Sequence, residues 1–144
     1  MRNLILLCFS LFFGGTIFAQ SAVGKWTTID DKTNTKKSTV EIYKYEGKLY
    51  GKVIYLYPRK GRPEHPVCDK CTDDRKGKPI VGMQIIRGLK WDGEEWEGGT
   101  ICDPEIGKVY RTKIWVDPNN PNKLQVRGYL GPFFRTQTWL RVED

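Results

Sequence analysis

The sequence predicts an all-β chain, an antiparallel meander closed into a small barrel of about eight strands. Three observations carry that expectation. Short segments rich in Val, Ile, Thr, Tyr and Trp recur, each ending at Gly, Pro, Asn or Asp. No window of about a dozen residues carries a helical apolar stripe. Glycines stand inside several segments (Gly51, Gly82, Gly98-Gly99, Gly128), where bulges and bends let a sheet curl. A meander leaves two unpaired edges and closure removes them; a sandwich is the rival left open.

The chain begins differently. Arg2 supplies a positive charge, Leu4 to Phe13 form an apolar run, and the small Ala19 precedes Gln20. The run is too short to span a bilayer and has the flanks of a cleavable secretion signal. Residues 1–19 are therefore expected to be a signal peptide, 20–144 a single domain, and the product a periplasmic or secreted protein that does not span the membrane.

Within that domain the expected strands are Lys25–Asp30, Ser38–Glu46, Lys48–Tyr57, Ile80–Arg87, Glu94–Cys102, Lys108–Val116, Lys123–Leu130 and Arg135–Val142. Gly47, Asp92-Gly93, Asp103-Pro104 with Gly107, the Asp117–Asn122 stretch and Gly131-Pro132 supply the turn chemistry between them. One connection, Pro58 to Pro79, is far longer than a hairpin loop. Long ordered loops in compact domains are commonly lids, binding loops or pinned insertions.

Composition narrows the function classes. The net charge is +7, but the basic residues are scattered singly through strands and turns, with no basic helix or nucleic-acid module. Nucleic acid is therefore not the expected partner. Beyond the signal segment the chain has Ser21, Ser38 and a single histidine, His65. It has no G-x-S-x-G, H-E-x-x-H, P-loop or G-x-G-x-x-G motif. The acidic pairs Glu94-Glu95 and Asp103 with Glu105 fall at hairpin ends, where surface turns explain them better than a glycosidase dyad. No catalytic residue is assigned.

With Cys8 in the signal, Cys68, Cys71 and Cys102 remain. An oxidising compartment favours a Cys68–Cys71 disulfide. The alternative is a metal or redox site in the long loop, with His65, Cys68, Cys71 and Cys102 as a four-ligand zinc set. A redox dithiol lacks the helix N-terminus that usually stabilises its thiolate. Cys102 is expected to be a small buried residue.

Gly24-Lys25-Trp26 opens the first strand and Trp139-Leu140-Arg141 closes the last. In lipocalin-type barrels a Gly-x-Trp on the first strand meets an arginine from the last. A planar cation over the indole contributes about 0.5–2 kcal/mol, so Trp26 and Arg141 are expected to form a barrel-closing pair.

These pieces, with Val40-Glu-Ile42, Gly47-Lys-Leu49-Tyr50-Gly51, Cys68-x-x-Cys71, Lys78-Pro79-Ile80-Val81-Gly82, Gly98-Gly99, Asp103-Pro104, Gly107-Lys108-Val109-Tyr110, Val126-Arg127-Gly128-Tyr129-Leu130-Gly131 and Arg135-Thr136-Gln137-Thr138-Trp139, resemble the bacterial family known as domain of unknown function 2147. The resemblance covers essentially the whole chain beyond the signal. It implies an exported, lipocalin-like barrel in a Gram-negative-type envelope, and it implies no reaction. At Cys102 the family pattern has an aliphatic residue, which weakens a zinc set that needs this thiol.

The expected function is non-enzymatic binding of a small ligand, with an envelope protein acting through its surface, or the metal or redox loop, as alternatives. If Lys108–Val116 pairs with Lys123–Leu130 across a symmetric Asp117–Asn122 turn, Tyr110, Thr112 and Ile114 stand opposite Tyr129, Arg127 and Gln125. Through Gly131-Pro132 that face continues into Arg135, Gln137 and Trp139. This row either faces water, with Val109, Leu124, Val126, Leu130 and Leu140 filling the barrel, or makes Tyr110, Arg127, Tyr129, Gln137 and Trp139 the lining of a pocket for a small polar or anionic ligand.

Overall fold

The computed structural model describes residues 21–143, so the segment expected to be a signal lies outside the described residues. Eight antiparallel strands follow one another: β1 (Gly24–Asp30), β2 (Thr35–Tyr45), β3 (Lys48–Leu56), β4 (Gln84–Trp91), β5 (Trp96–Asp103), β6 (Lys108–Asp117), β7 (Asn120–Leu130) and β8 (Phe133–Arg141). Each pairs with its neighbours in sequence, and β8 returns to β1 through Trp26 opposite Arg141 and Thr27 opposite Leu140. The sheet is a closed barrel, and both edges of the meander are gone. No helix among the described residues is long and apolar enough to cross a membrane.

The strand expected at Ile80 starts instead at Gln84. Ile80 to Met83 make a turn, with the Met83 N–H donating to the Ile80 carbonyl and Val53 exchanging hydrogen bonds with Gly82 and Met83. Gly82, read as a strand glycine, belongs to that turn.

The ends of the barrel differ. The N-terminal ends of β1, β3, β5 and β7 gather at one end, and it is filled. Trp26, Val40, Ile42, Leu49, Ile86, Leu89, Ile114 and Leu124 are all buried there or near the middle. At the other end lie the turns joining β1 to β2, β5 to β6 and β7 to β8, together with the long segment between β3 and β4.

That long segment is built. Val67 bridges to Pro79, Cys68 and Lys78 are joined through the backbone, and the Ile80 N–H donates to the Pro66 carbonyl. A Cys68–Cys71 disulfide ties its turn. Arg75, almost wholly buried, donates from Nε to the Gln84 carbonyl at 2.9 Å and from Nη1 to Asp73 at 2.7 Å. Asp74 accepts two hydrogen bonds from Arg87, each 2.8 Å. The segment thus forms a flap clamped to the outside of β4 and β5. Cys102 faces outward, opposite the exposed Val109, and is nonetheless buried, with Arg75 and Asp73 of the flap among its charged neighbours.

Candidate ligand-binding site

The open half of the barrel encloses a cavity of about 470 Å³, within the size range of small-molecule pockets. Alternation along the strands sets its lining. On β6 and β7 the register pairs Thr112 with Gly128 and Ile114 with Val126, and on β7 and β8 it pairs Val126 with Gln137 and Leu124 with Trp139. Inward-facing residues along that wall are therefore Tyr110, Val126, Gly128, Gln137 and Trp139. The opposite wall contributes Val53, Leu56, Ile85 and Ile101, and Ile80 enters from the flap. Most of this lining is apolar.

Besides Tyr110 and Gln137, polar groups occur in two places. In the cavity wall the buried Thr28 and Ser38 hydroxyls hydrogen-bond each other at 2.6 Å. At the mouth stand Lys37, Arg59, Arg62 and Arg135 with Asp103 and Glu105. Glu105 is held by Arg59 at 3.1 Å and Lys37 at 3.6 Å, and Arg59 also reaches Asp30 at 4.0 Å. Backbone N–H groups of Lys32 and Thr33, then nearby cations, hold the Asp30 carboxyl below its usual range. Asp31 accepts from Gln137 at 2.9 Å and from Arg135. Arg62 donates to the Tyr57 carbonyl and makes no ion pair among the described residues. The four cations of the mouth thus face four carboxylates, Asp30, Asp31, Asp103 and Glu105, and among the described residues Arg62 and Asp103 are the two left without an ion pair.

The expected binding row is split by this register. Tyr110, Gln137 and Trp139 line the cavity. Arg127 does not. It lies on the outer wall, over Trp115 at 5.0 Å and Phe134 at 4.3 Å, with Nε donating to the Thr136 hydroxyl at 2.8 Å. Tyr129 shares that outer face, opposite Arg111 and Phe134, and borders the cavity only from the rim side. The reason is a bulge. Asp117 pairs directly with Asn120, so the turn is the two residues Pro118-Asn119, and Pro121, Asn122 and Lys123 are extra before Leu124 meets Val116. The pairing is shifted by one residue from the symmetric turn, which reverses the faces of β7. Neither apolar reading of the reverse face holds whole: Leu124 and Val126 point inward, while Val109 and Leu140 are exposed.

Sequence reasoning missed Lys37, Arg59, Arg62, Thr28 and Ser38. The basic run Arg59-Lys60-Gly61-Arg62 inside an overlong connection was the available signal for the first of these positions in the flap.

The filled end is sealed by Trp26, whose indole N–H donates to the Ala22 carbonyl at 2.8 Å, under the Arg141 guanidinium at 4.2 Å from the ring centroid. Gly24 makes room: its φ is +138°, and a Cβ there would stand 3.2 Å from Arg141 Nη1. The four residues with zinc-ligand chemistry are not available as a set, because Cys68 and Cys71 share a disulfide and His65 is exposed. No group of three or more His, Cys, Asp or Glu side chains among the described residues is placed to hold a metal.

Residues 24–141 match a family described as uncharacterized protein conserved in bacteria, DUF2147. The chain belongs to that family. No curated protein matches. Among solved structures, this DUF2147 chain is similar to HP1028 of Helicobacter pylori, described as belonging to the lipocalin family, with 19% identity, a TM-score of 0.70, and coverage of 86% of this chain and 84% of that one. At that identity the similarity speaks for the fold: this DUF2147 member is an eight-stranded, lipocalin-like barrel.

Proposed function

We propose that this protein is a non-enzymatic carrier or receptor for one small amphipathic molecule, held with its apolar body in the barrel and its anionic head at the mouth. One observation carries the reading. A closed barrel leaves its open half hollow, with an apolar wall below a rim of Lys37, Arg59, Arg62 and Arg135. Burying an apolar body releases about 25 cal/mol per Å², and a guanidinium at the rim gives a carboxylate, sulfonate or phosphate a charge-assisted partner. Arg62, without an ion pair of its own, is the first choice for that partner, with Tyr110 and Gln137 as further donors. Export to an oxidising compartment belongs to the same proposal, and the Cys68–Cys71 disulfide favours it.

The test is titration with decanoate and with decanol, followed by tryptophan fluorescence, since Trp139 lies in the cavity wall. Saturable one-to-one uptake of both is expected, tighter for the carboxylate. Val126→Trp, which fills the cavity, should abolish uptake of both. Arg62→Gln should weaken decanoate by roughly tenfold and leave decanol unchanged. Absence of saturable uptake, together with no retained molecule in native mass spectra of protein from its producing cell, would overturn the proposal.

A further inference from the structure

The tip of the β7–β8 hairpin is unusual for a water-facing turn. Leu130, Phe133 and Phe134 are 65%, 74% and 60% exposed, on either side of Gly131-Pro132. The neighbouring β5–β6 turn adds the exposed Ile106 and, at the start of β6, Val109. Large apolar side chains scattered singly need no explanation, but a contiguous group at one end of a barrel does. Leu130, Ile106 and Phe133 also line the cavity, so apolar surface runs without a break from the tip into the barrel.

Cations outnumber carboxylates on the connections and strand ends around the tip. Three of the four acidic residues of the mouth are engaged, Asp30 with Arg59, Asp31 with Arg135, and Glu105 with Lys37 and Arg59, while Asp103 accepts from the Glu105 N–H and stands across from Lys108. Lys32 and Lys60, on two separate connections, and Lys108, the first residue of β6, stand exposed at the same end, in no ion pair among the described residues. An apolar tip inside a cationic rim matches the chemistry of an anionic lipid surface, where aromatic side chains enter the interface and lysines meet the headgroups.

We infer that the protein docks, mouth first, on an anionic lipid bilayer, with Phe133, Phe134 and Leu130 inserted and Lys32, Lys60 and Lys108 at the headgroups. Docked in this way, the cavity opens directly onto the membrane, and an amphipathic molecule crosses between bilayer and barrel without its apolar part passing through water. The docking surface stands on its own observations and does not depend on what the cavity holds.

The experiment is flotation with phosphatidylcholine vesicles and with vesicles containing phosphatidylglycerol. Wild-type protein should bind the anionic vesicles more tightly, and added salt should weaken that binding. The double substitution Phe133→Ser, Phe134→Ser should lower partitioning by roughly tenfold or more. Trp91→Ser, which removes a comparably exposed aromatic at the filled end, should leave it unchanged. All proteins share one N terminus, so the differences report the hairpin tip and not residues 1–20. Both exposed phenylalanines are outside the packed core, and unchanged far-ultraviolet circular dichroism would show that the variant folds. Equal vesicle binding by wild type and the double variant would overturn the inference. So would a sedimentation-velocity dimer lost on the same double substitution, since the tip would then cover a second copy of the chain.

Discussion

The Arg141 guanidinium lies 4.2 Å from the centre of the Trp26 ring, and the same guanidinium donates from Nη2 to the Ser21 carbonyl at 2.9 Å and the Pro121 carbonyl at 3.1 Å. One side chain thus joins β8 to β1, the segment before β1, and the bulge at the start of β7. Arg141→Met keeps the apolar stem over the indole and removes the rest. It should cost about 1–3 kcal/mol in urea unfolding, against about 3–5 for Trp26→Ala, which opens a cavity in the core. A double-mutant cycle should return a coupling of about 1 kcal/mol. Additive effects of the two substitutions would show that the stacking contributes nothing.

Gly98 and Gly99 are neighbours in β5 with separate reasons to be glycine. Gly98 has φ +77° and open space where a Cβ would stand, while a Cβ on Gly99 would run into the Arg87 carbonyl and the Leu89 amide nitrogen on β4. Gly98→Ala should therefore cost only the left-handed backbone penalty, about 1–2 kcal/mol. Gly99→Ala should cost about 3 kcal/mol or more, because backbone must move. Thermal unfolding of the two variants orders them, and a reversal would contradict the close strand approach.

Strand positions were legible in the sequence wherever the turn chemistry was local. Gly131-Pro132 and Asp92-Gly93 mark their reversals through their own backbone preferences. The β6–β7 reversal was not legible, because two arrangements of Asp117 to Lys123 satisfy the same residues. Its outcome is set by Asx contacts, Asp117 accepting from the Asn119 N–H and Asn120 from the Asn122 N–H, and by Arg141 gripping Pro121 from the far end of the chain. That choice moved Arg127 to the outer wall and Tyr129 to the cavity's rim, and left Tyr110, Gln137 and Trp139 inside. Lys37, Arg59 and Arg62 meet at the mouth through the pairing of β2 with β3, which sets the Tyr57 N–H against the Lys37 carbonyl, so no local pattern announces them together.

The disulfide closes a very short loop, which limits its entropic effect to about 2 kcal/mol. Its role is to shape the flap that covers Cys102, whose thiol is pushed up in pKa mainly by burial. Cys68→Ser with Cys71→Ser should lower global stability by about that amount or less, while alkylation of Cys102 by iodoacetamide accelerates many-fold. Equal labelling rates in the parent and the double variant would show that the flap stays down without its disulfide.

The flap also carries an acid-sensitive clamp. Hydrogen bonds from Arg87, more than any other influence, hold the Asp74 carboxyl at about 2, against 3.8 for an unperturbed aspartate. The folded value lies below the unfolded one, so the protonated form is disfavoured by folding. The clamp's contribution is therefore fully present above 3.8 and fades as the pH falls through about 2. Asp30, Asp92 and Asp117 are also held low, but chiefly by backbone N–H groups within their own turns, so acid weakens the protein at several places at once. Subtraction isolates Asp74. Urea midpoints of the parent protein and of Asp74→Asn should differ above 3.8, with the parent more stable, and converge as the pH approaches 2. Arg87→Met should reproduce the Asp74→Asn profile, since either change removes the same bidentate pair. A constant gap between parent and Asp74→Asn across that range would mean that asparagine disturbs the flap by its shape, and that the carboxylate charge is not what holds residues 73–75 against β4.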